Sequence, residues 1–136
     1  MKVLELFKGT GSISKYFEDT DTEVISLDIL EKYKPTICCD IMDFDYKKYS
    51  VGYFDIIWAS PECKVYSQLQ YCWINRKYES RKEIDNMRIK DSKYINRAIE
   101  IIDYLKPKYY FIENPLSSSI WEYIDNKEYI SNYVIV

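Results

Sequence analysis

The chain has 136 residues, a net charge of −3 and 47% apolar residues. That is enough to build one buried core and too hydrophobic for a disordered tail, and the acidic balance is not that of a free-standing nucleic-acid binder. It contains no histidine and four cysteines without a CxxC pair, which excludes Ser-His-Asp and Cys-His hydrolase chemistry and leaves no expectation of a zinc or other metal site.

No apolar run approaches the roughly 18–20 residues needed to cross a bilayer. An acid, Glu5, interrupts the N-terminal apolar stretch as soon as it begins, so no signal peptide is read. The expectation is a soluble, intracellular protein, one domain over residues 1–136, with no membrane partner. Charge is uneven. Residues 76–108 hold ten Lys/Arg against six Asp/Glu, either a solvated helix face of mixed charge or a surface turned toward phosphates.

In chain order, Lys2 to Phe7 reads as a buried strand. Gly9-Thr10-Gly11-Ser12 follows as a turn, and Ile13 to Phe17 as the start of a helix. A glycine turn between a first strand and a helix lets backbone N–H groups approach a ligand closely. Glu23 to Asp28 reads as a second strand, its acid about twenty residues past the glycines, where a carboxylate can accept from ribose hydroxyls. Pro35 to Ile41 reads as a short third strand carrying Asp40, and Met42 to Tyr49 as a loop or short helix. Residues 53–59 form a fourth strand stopped by Ser60-Pro61, with Cys63 just beyond the turn.

Lys64 to Ile74 lacks periodicity and reads as a mobile loop. Residues 80–105 form the longest helix, with Ile84, Met87, Tyr94, Ile95, Ala98, Ile101, Ile102 and Leu105 on one face and Lys106-Pro107 as its stop. Tyr109 to Glu113 reads as a fifth strand turned by Asn114-Pro115. Ile120 to Ile124 reads as a short helix, and Tyr129 to Val136 as a strand or tail. Strands alternating with helical segments predict a doubly wound, mainly parallel α/β sheet of about five strands.

Strands four and five are expected side by side. That places a thiol and Glu113 on neighbouring loops at the carboxyl edge, where open α/β sheets bind ligands. A thiolate beside a carboxylic acid suits addition to an electron-poor ring such as cytosine. Attack at C6 makes C5 nucleophilic toward a methyl electrophile.

These blocks resemble those of the DNA (cytosine-5)-methyltransferases, in particular compact viral and phage-like members. Leu4 to Ser12 resembles the first donor-binding block, Ser26-Leu27-Asp28 the second and Cys39-Asp40-Ile41 the third. Asp55 to Ser67 resembles the Pro-Cys loop, and Phe111 to Pro115 the Glu-Asn block. The resemblance covers residues 2–115 and implies a Rossmann-like methyltransferase fold, S-adenosylmethionine as cofactor and DNA as substrate. By the same resemblance Cys63 and Glu113 are catalytic. Phe7, Gly9, Thr10, Gly11, Ser12, Asp28, Ile29, Asp40, Ile41, Ser60 and Pro61 hold the donor. Ser60, Pro61, Ser67, Glu113, Asn114 and Pro115 face the cytosine.

Where the family has Pro-Pro-Cys or Phe-Pro-Cys, Glu62 stands directly before the cysteine. The family's arginine-bearing active-site strand, target-recognition segment and closing helix are not recognisable in Leu116–Val136. The sheet is therefore expected to lack its last strands, and a second polypeptide or segment to supply target recognition. If the protein is viral, its place is the host cytoplasm or nucleus.

Plainer readings stand beside each assignment. Cys63 is otherwise a small buried residue, Glu113 a surface acid, and Asp28 and Asp40 turn or cap acids. Cys38, Cys39 and Cys72 read as structural, and Trp58 as core. For the whole chain the alternatives are an amino-methyltransferase, which Cys63 argues against, and a remnant that binds S-adenosylmethionine or a partner without catalysis.

Overall fold

The computed structural model describes residues 1–130. Its centre is a five-stranded, all-parallel sheet in the order β3-β2-β1-β4-β5. The strands are β1 (Lys2–Leu6), β2 (Glu23–Asp28), β3 (Ile37–Cys38), β4 (Ile56–Ala59) and β5 (Tyr109–Ile112). Val3, Leu4, Glu5 and Leu6 are all buried, the pattern of a central parallel strand covered on both faces. Val3 lies opposite Val24 on one side and Ile56 on the other.

Two helices accompany the sheet, α1 (Ser12–Tyr16) and α2 (Arg81–Leu105). The chain divides into two compact units, Met1–Pro61 with Arg97–Glu113, and Glu62–Asn96 with Asn114–Val136. The first contains the whole sheet. Its buried residues include Leu4, Leu6, Leu27, Phe54 and Ile57, with Ala98, Ile101, Ile102 and Leu105 from the end of α2. Gly52, at φ +80°, donates its N–H to the Leu105 carbonyl at 2.7 Å. Lys106 then turns left-handed at φ +46° and the helix ends before Pro107.

The predicted parallel α/β sheet is present, with β4 and β5 paired from Ile56↔Tyr109 to Ala59↔Ile112. The third strand is two residues rather than seven. Thr36 spends its hydroxyl and N–H on Ser26, whose N–H donates back at 3.1 Å, and Asp40 caps a 3-10 turn over Ile41–Asp43. A second such turn covers Tyr46–Lys48. The aperiodic stretch after Cys63 is two 3-10 turns, Lys64–Tyr66 and Gln68–Trp73, in place of an unstructured loop. Ser119–Tyr123 is also 3-10. Lys127–Ile130 forms a further 3-10 turn, which takes in the start of the segment read as a strand or tail from Tyr129; the rest of that segment, residues 131–136, lies outside the described residues.

Candidate active site

The loop leaving β1 is strained and then tied down. Phe7 has φ +58°, in the left-handed region that a bulky residue rarely adopts, and Gly9 and Gly11 follow at +50° and +74°. Gly11 donates to the Lys8 carbonyl at 2.8 Å, and Lys8 to the Leu27 carbonyl at 3.0 Å. Asp28, at the end of β2, accepts from the Gly9 N–H at 2.9 Å and from the Leu30 N–H at 2.8 Å. Two of the roughly four acceptor positions of a carboxylate are then used, which leaves capacity for hydroxyl donors. Glu5 is buried and accepts from the Ile13 N–H at 3.2 Å and from the Ser14 hydroxyl. It therefore holds the start of α1 and does not face a ligand.

The other residues expected at the donor fall on both sides of the surface. Thr10 and Ser12 are exposed, and Ile29 is 61% exposed. Ile41 is buried in the core. Asp40 is half-buried and accepts from the Met42 N–H at 2.9 Å. Burial, then Asp43 and Asp40, push the neighbouring Cys39 thiol up. With only five residues, α1 offers little dipole; the Lys8, Gly9 and Gly11 N–H groups are bonded within the protein, so the strand-end acids carry the site's polarity. A groove of about 300 Å³ in this unit runs along Val24, Ser26 and Thr36. Asp28 and Asp40 do not line it, so it is separate from the predicted donor contacts.

At the end of β4, Ser60 donates its N–H to the Leu6 carbonyl at 3.3 Å and accepts from Trp58 Nε1 at 2.8 Å. Trp58 stacks on Phe111, ring centres 5.1 Å apart. Pro61 is buried. Glu113 donates its N–H to the Ala59 carbonyl at 2.8 Å, while its carboxylate side chain is exposed. The ends of β4 and β5 thus leave the sheet side by side, as their predicted pairing requires.

The second unit holds Cys63, Ser67, Asn114 and Pro115. Cys63 is exposed, and its carbonyl accepts the Tyr66 N–H at 3.0 Å, so it opens the first 3-10 turn. Ser67 Oγ accepts the Leu69 N–H at 3.2 Å and caps the second. The Pro115 carbonyl accepts the Ser118 N–H at 2.9 Å. Tyr66 is buried and donates its hydroxyl to the Arg88 carbonyl at 3.2 Å.

Burial, and then the charge of Asp91, push the Tyr66 hydroxyl well above the ordinary tyrosine range. Unfolded tyrosine ionises near pH 10. The stability gained by keeping Tyr66 protonated is therefore complete below about pH 10 and is lost as pH rises beyond it. Chemical denaturation at pH 8 and pH 11 is expected to show a loss of stability that Tyr66→Phe reduces.

Sequence reasoning missed Arg88. It is 1% exposed, although it reads as one more cation on a mixed-charge helix. The available signal was its place on the stripe: Arg88 follows Ile84 by one turn and precedes Ile95 by two.

No protein-family model matches the chain. Along 98% of its length the chain is 31% identical to a protein of Frog virus 3 (isolate Goorha) named "Probable DNA (cytosine-5)-methyltransferase". Over nearly its whole length the chain is thus similar to a protein named as a DNA (cytosine-5)-methyltransferase. It spans 63% of the length of that relative, and the resemblance drawn from its motif blocks is borne out at the level of the family. Among the described residues, no group of three or more His, Cys, Asp or Glu side chains could hold a metal ion, and no helix is long and apolar enough to cross a membrane.

Proposed function

We propose that the chain transfers a methyl group from S-adenosylmethionine to C5 of cytosine in DNA. The observation that carries the reading is the pairing of β4 with β5, with the Glu113 N–H on the Ala59 carbonyl. The strand that leads to Cys63 and the strand that delivers Glu113 end together at the carboxyl edge, the edge from which the glycine turn also leaves β1.

In this reading Cys63 Sγ adds to C6 of the ring, and the electron pair moves toward N3, where Glu113 gives a proton. When bound, S-adenosylmethionine supplies the electrophilic methyl group that C5 takes. Loss of the C5 proton to water then expels Cys63 as its thiolate, and the proton on N3 returns to Glu113, so both residues are regenerated. Ser60 and Pro61 fix the exit of the cysteine turn. Ser67, Asn114 and Pro115 border the cytosine, which must leave the duplex to reach a thiol.

The residues on the donor side suit the cofactor. Phe7 and Gly9 hold a left-handed turn, and Asp28 keeps acceptor capacity for the ribose. Exposed Ile29 offers an apolar contact for the adenine, with Asp40 beside it; Thr10, Gly11 and Ser12 border the amino-acid end. Ile41 is buried and cannot touch the donor itself. Because more than a third of the Frog virus 3 protein lies outside the match, target recognition is assigned to a further segment or a second polypeptide. The chain acts inside the cell, where its DNA substrate lies.

Tritiated S-adenosylmethionine and duplex DNA test the proposal. Label in DNA supports it. Donor binding by calorimetry with no label would favour a relative that binds the cofactor without catalysis, and no donor binding would end both readings. Glu113→Gln keeps the size of the side chain and removes its transferable proton. It is expected to lower kcat by about 10²–10⁴-fold, the usual worth of a general acid, with donor affinity within twofold.

A further inference from the structure

We infer that Arg88 positions the turn that carries Cys63, and so sets the aim of the thiol. The inference rests on the cytosine methyl-transfer reading for its catalytic consequence, but its geometry lies wholly within the second unit. Arg88 sits on α2 with its side chain buried. All three faces of its guanidinium point into the segment just past Cys63. Nε donates to the Val65 carbonyl at 3.0 Å, Nη2 to the Ser67 carbonyl at 3.0 Å, and Nη1 to the Tyr71 hydroxyl at 2.7 Å. The Tyr71 ring lies 4.9 Å from the guanidinium and takes Arg81 at 4.6 Å as well. The main chain of Arg88 also accepts the Tyr66 hydroxyl.

This is a costly way to build a turn. A buried guanidinium needs compensation, from a carboxylate or from neutral acceptors. Arg88 is satisfied by carbonyls and phenol groups instead, each of them fixed in place. The carbonyls it holds are those of the second and fourth residues after Cys63, and Cys63 itself closes the first turn through its own carbonyl to the Tyr66 N–H. Shifting Val65 or Ser67 therefore shifts Cys63.

Neighbouring bonds hold the same segment from other sides. Gln70 Nε2 donates to the Lys64 carbonyl at 2.9 Å, the Tyr78 hydroxyl to Gln70 Oε1 at 2.9 Å, and the Ser119 hydroxyl to the Tyr66 carbonyl at 3.0 Å. Only arginine offers donors in three fixed directions. A lysine ammonium radiates its donors from one atom and cannot span both carbonyls and the hydroxyl. Arg88 is thus a positioning residue, acting through the turn and not on the ring.

The test compares wild-type protein with Arg88→Lys and with Tyr71→Phe, which removes a single bond from the fork. Three readouts are taken: amide exchange over residues 64–71, the rate of Cys63 alkylation by iodoacetamide followed by mass spectrometry, and kcat and KM with duplex DNA. Arg88→Lys is expected to speed exchange across 64–71 at least tenfold while β1 and β2 stay protected. It is also expected to change Cys63 alkylation at least threefold and lower kcat by 10- to 100-fold, with KM for donor and DNA within twofold. Tyr71→Phe moves each value the same way by less. Unchanged exchange, or a kcat within twofold of wild type, overturns the inference. Should Arg88→Lys fail to fold, Tyr71→Phe decides by the same criteria. If wild-type protein shows no turnover, the methyl-transfer reading is what fails; exchange and alkylation then still decide whether Arg88 holds the Cys63 turn.

Discussion

Cys63→Ser is expected to transfer no detectable label to DNA, with activity at least about 10⁴-fold below wild type, because a serine hydroxyl at neutral pH is a far weaker nucleophile than a thiolate. The variant should fold as the wild type does. Cys63 is exposed and its side chain caps nothing, so exchanging sulfur for oxygen there leaves the packing untouched. Donor affinity by calorimetry is expected within twofold of wild type, since the predicted donor contacts other than this loop lie at the ends of β1, β2 and β3 and in the turns after them. With DNA containing 5-fluorocytosine, wild-type protein should give a covalent complex that survives denaturing electrophoresis, and Cys63→Ser none. Label transfer by Cys63→Ser at a tenth of the wild-type rate would rule out the covalent route.

Asp28→Ala acts on the proposed donor contacts. Its carboxylate fixes the Gly9 N–H on one oxygen and the Leu30 N–H on the other. Removing it unties the glycine turn from β2 and removes the acceptor proposed for the ribose. Hydrogen bonds to a charged group contribute about 1.5–3 kcal/mol each, and each 1.4 kcal/mol is tenfold in affinity. Donor Kd is therefore expected to rise by about 10- to 100-fold, measured by calorimetry. Stability should fall by about 1–3 kcal/mol as the Gly9 N–H loses its partner, measured by urea denaturation. Unchanged donor affinity in a folded Asp28→Ala protein would remove Asp28 from the donor site and leave it as a turn acid.

The parts of the fold that were legible in the sequence are those where one local signal dominates. Glu23–Asp28 is a strand because β-branched Val24 and Ile25 and apolar Leu27 run between a polar turn and an acid, and its limits match the prediction. The end of α2 was equally plain, since Lys106-Pro107 cannot continue a helix. The adjacency of β4 and β5 followed from the order of parallel strands. What could not be read depends on distant partners. The third strand is cut short by Thr36 bonding to Ser26 ten residues away. The segment after Cys63 has no periodicity of its own, and it takes shape from Arg88, Tyr78 and Ser119. Arg88 itself carries a charge that every composition rule assigns to solvent; only the carbonyls that receive it explain its burial.

The motif blocks put the glycine turn after β1, Asp28 at the end of β2 and Ser60-Pro61 after β4. They gave no hint that Ile41 is interior or that Glu5 is committed to α1.

The position of β1 at the centre of the sheet has a kinetic consequence. Its partner on one side, β2, is complete by residue 28, but its partner on the other, β4, must arrive from far along the chain: the Lys2 N–H bonds Asp55, 53 residues away. β5 then joins from a similar distance again. Parallel pairings of such separation close late and fold slowly. During synthesis β1 therefore waits with one apolar edge open until β4 has left the ribosome, and over that interval the nascent chain is most exposed to aggregation and to capture by chaperones.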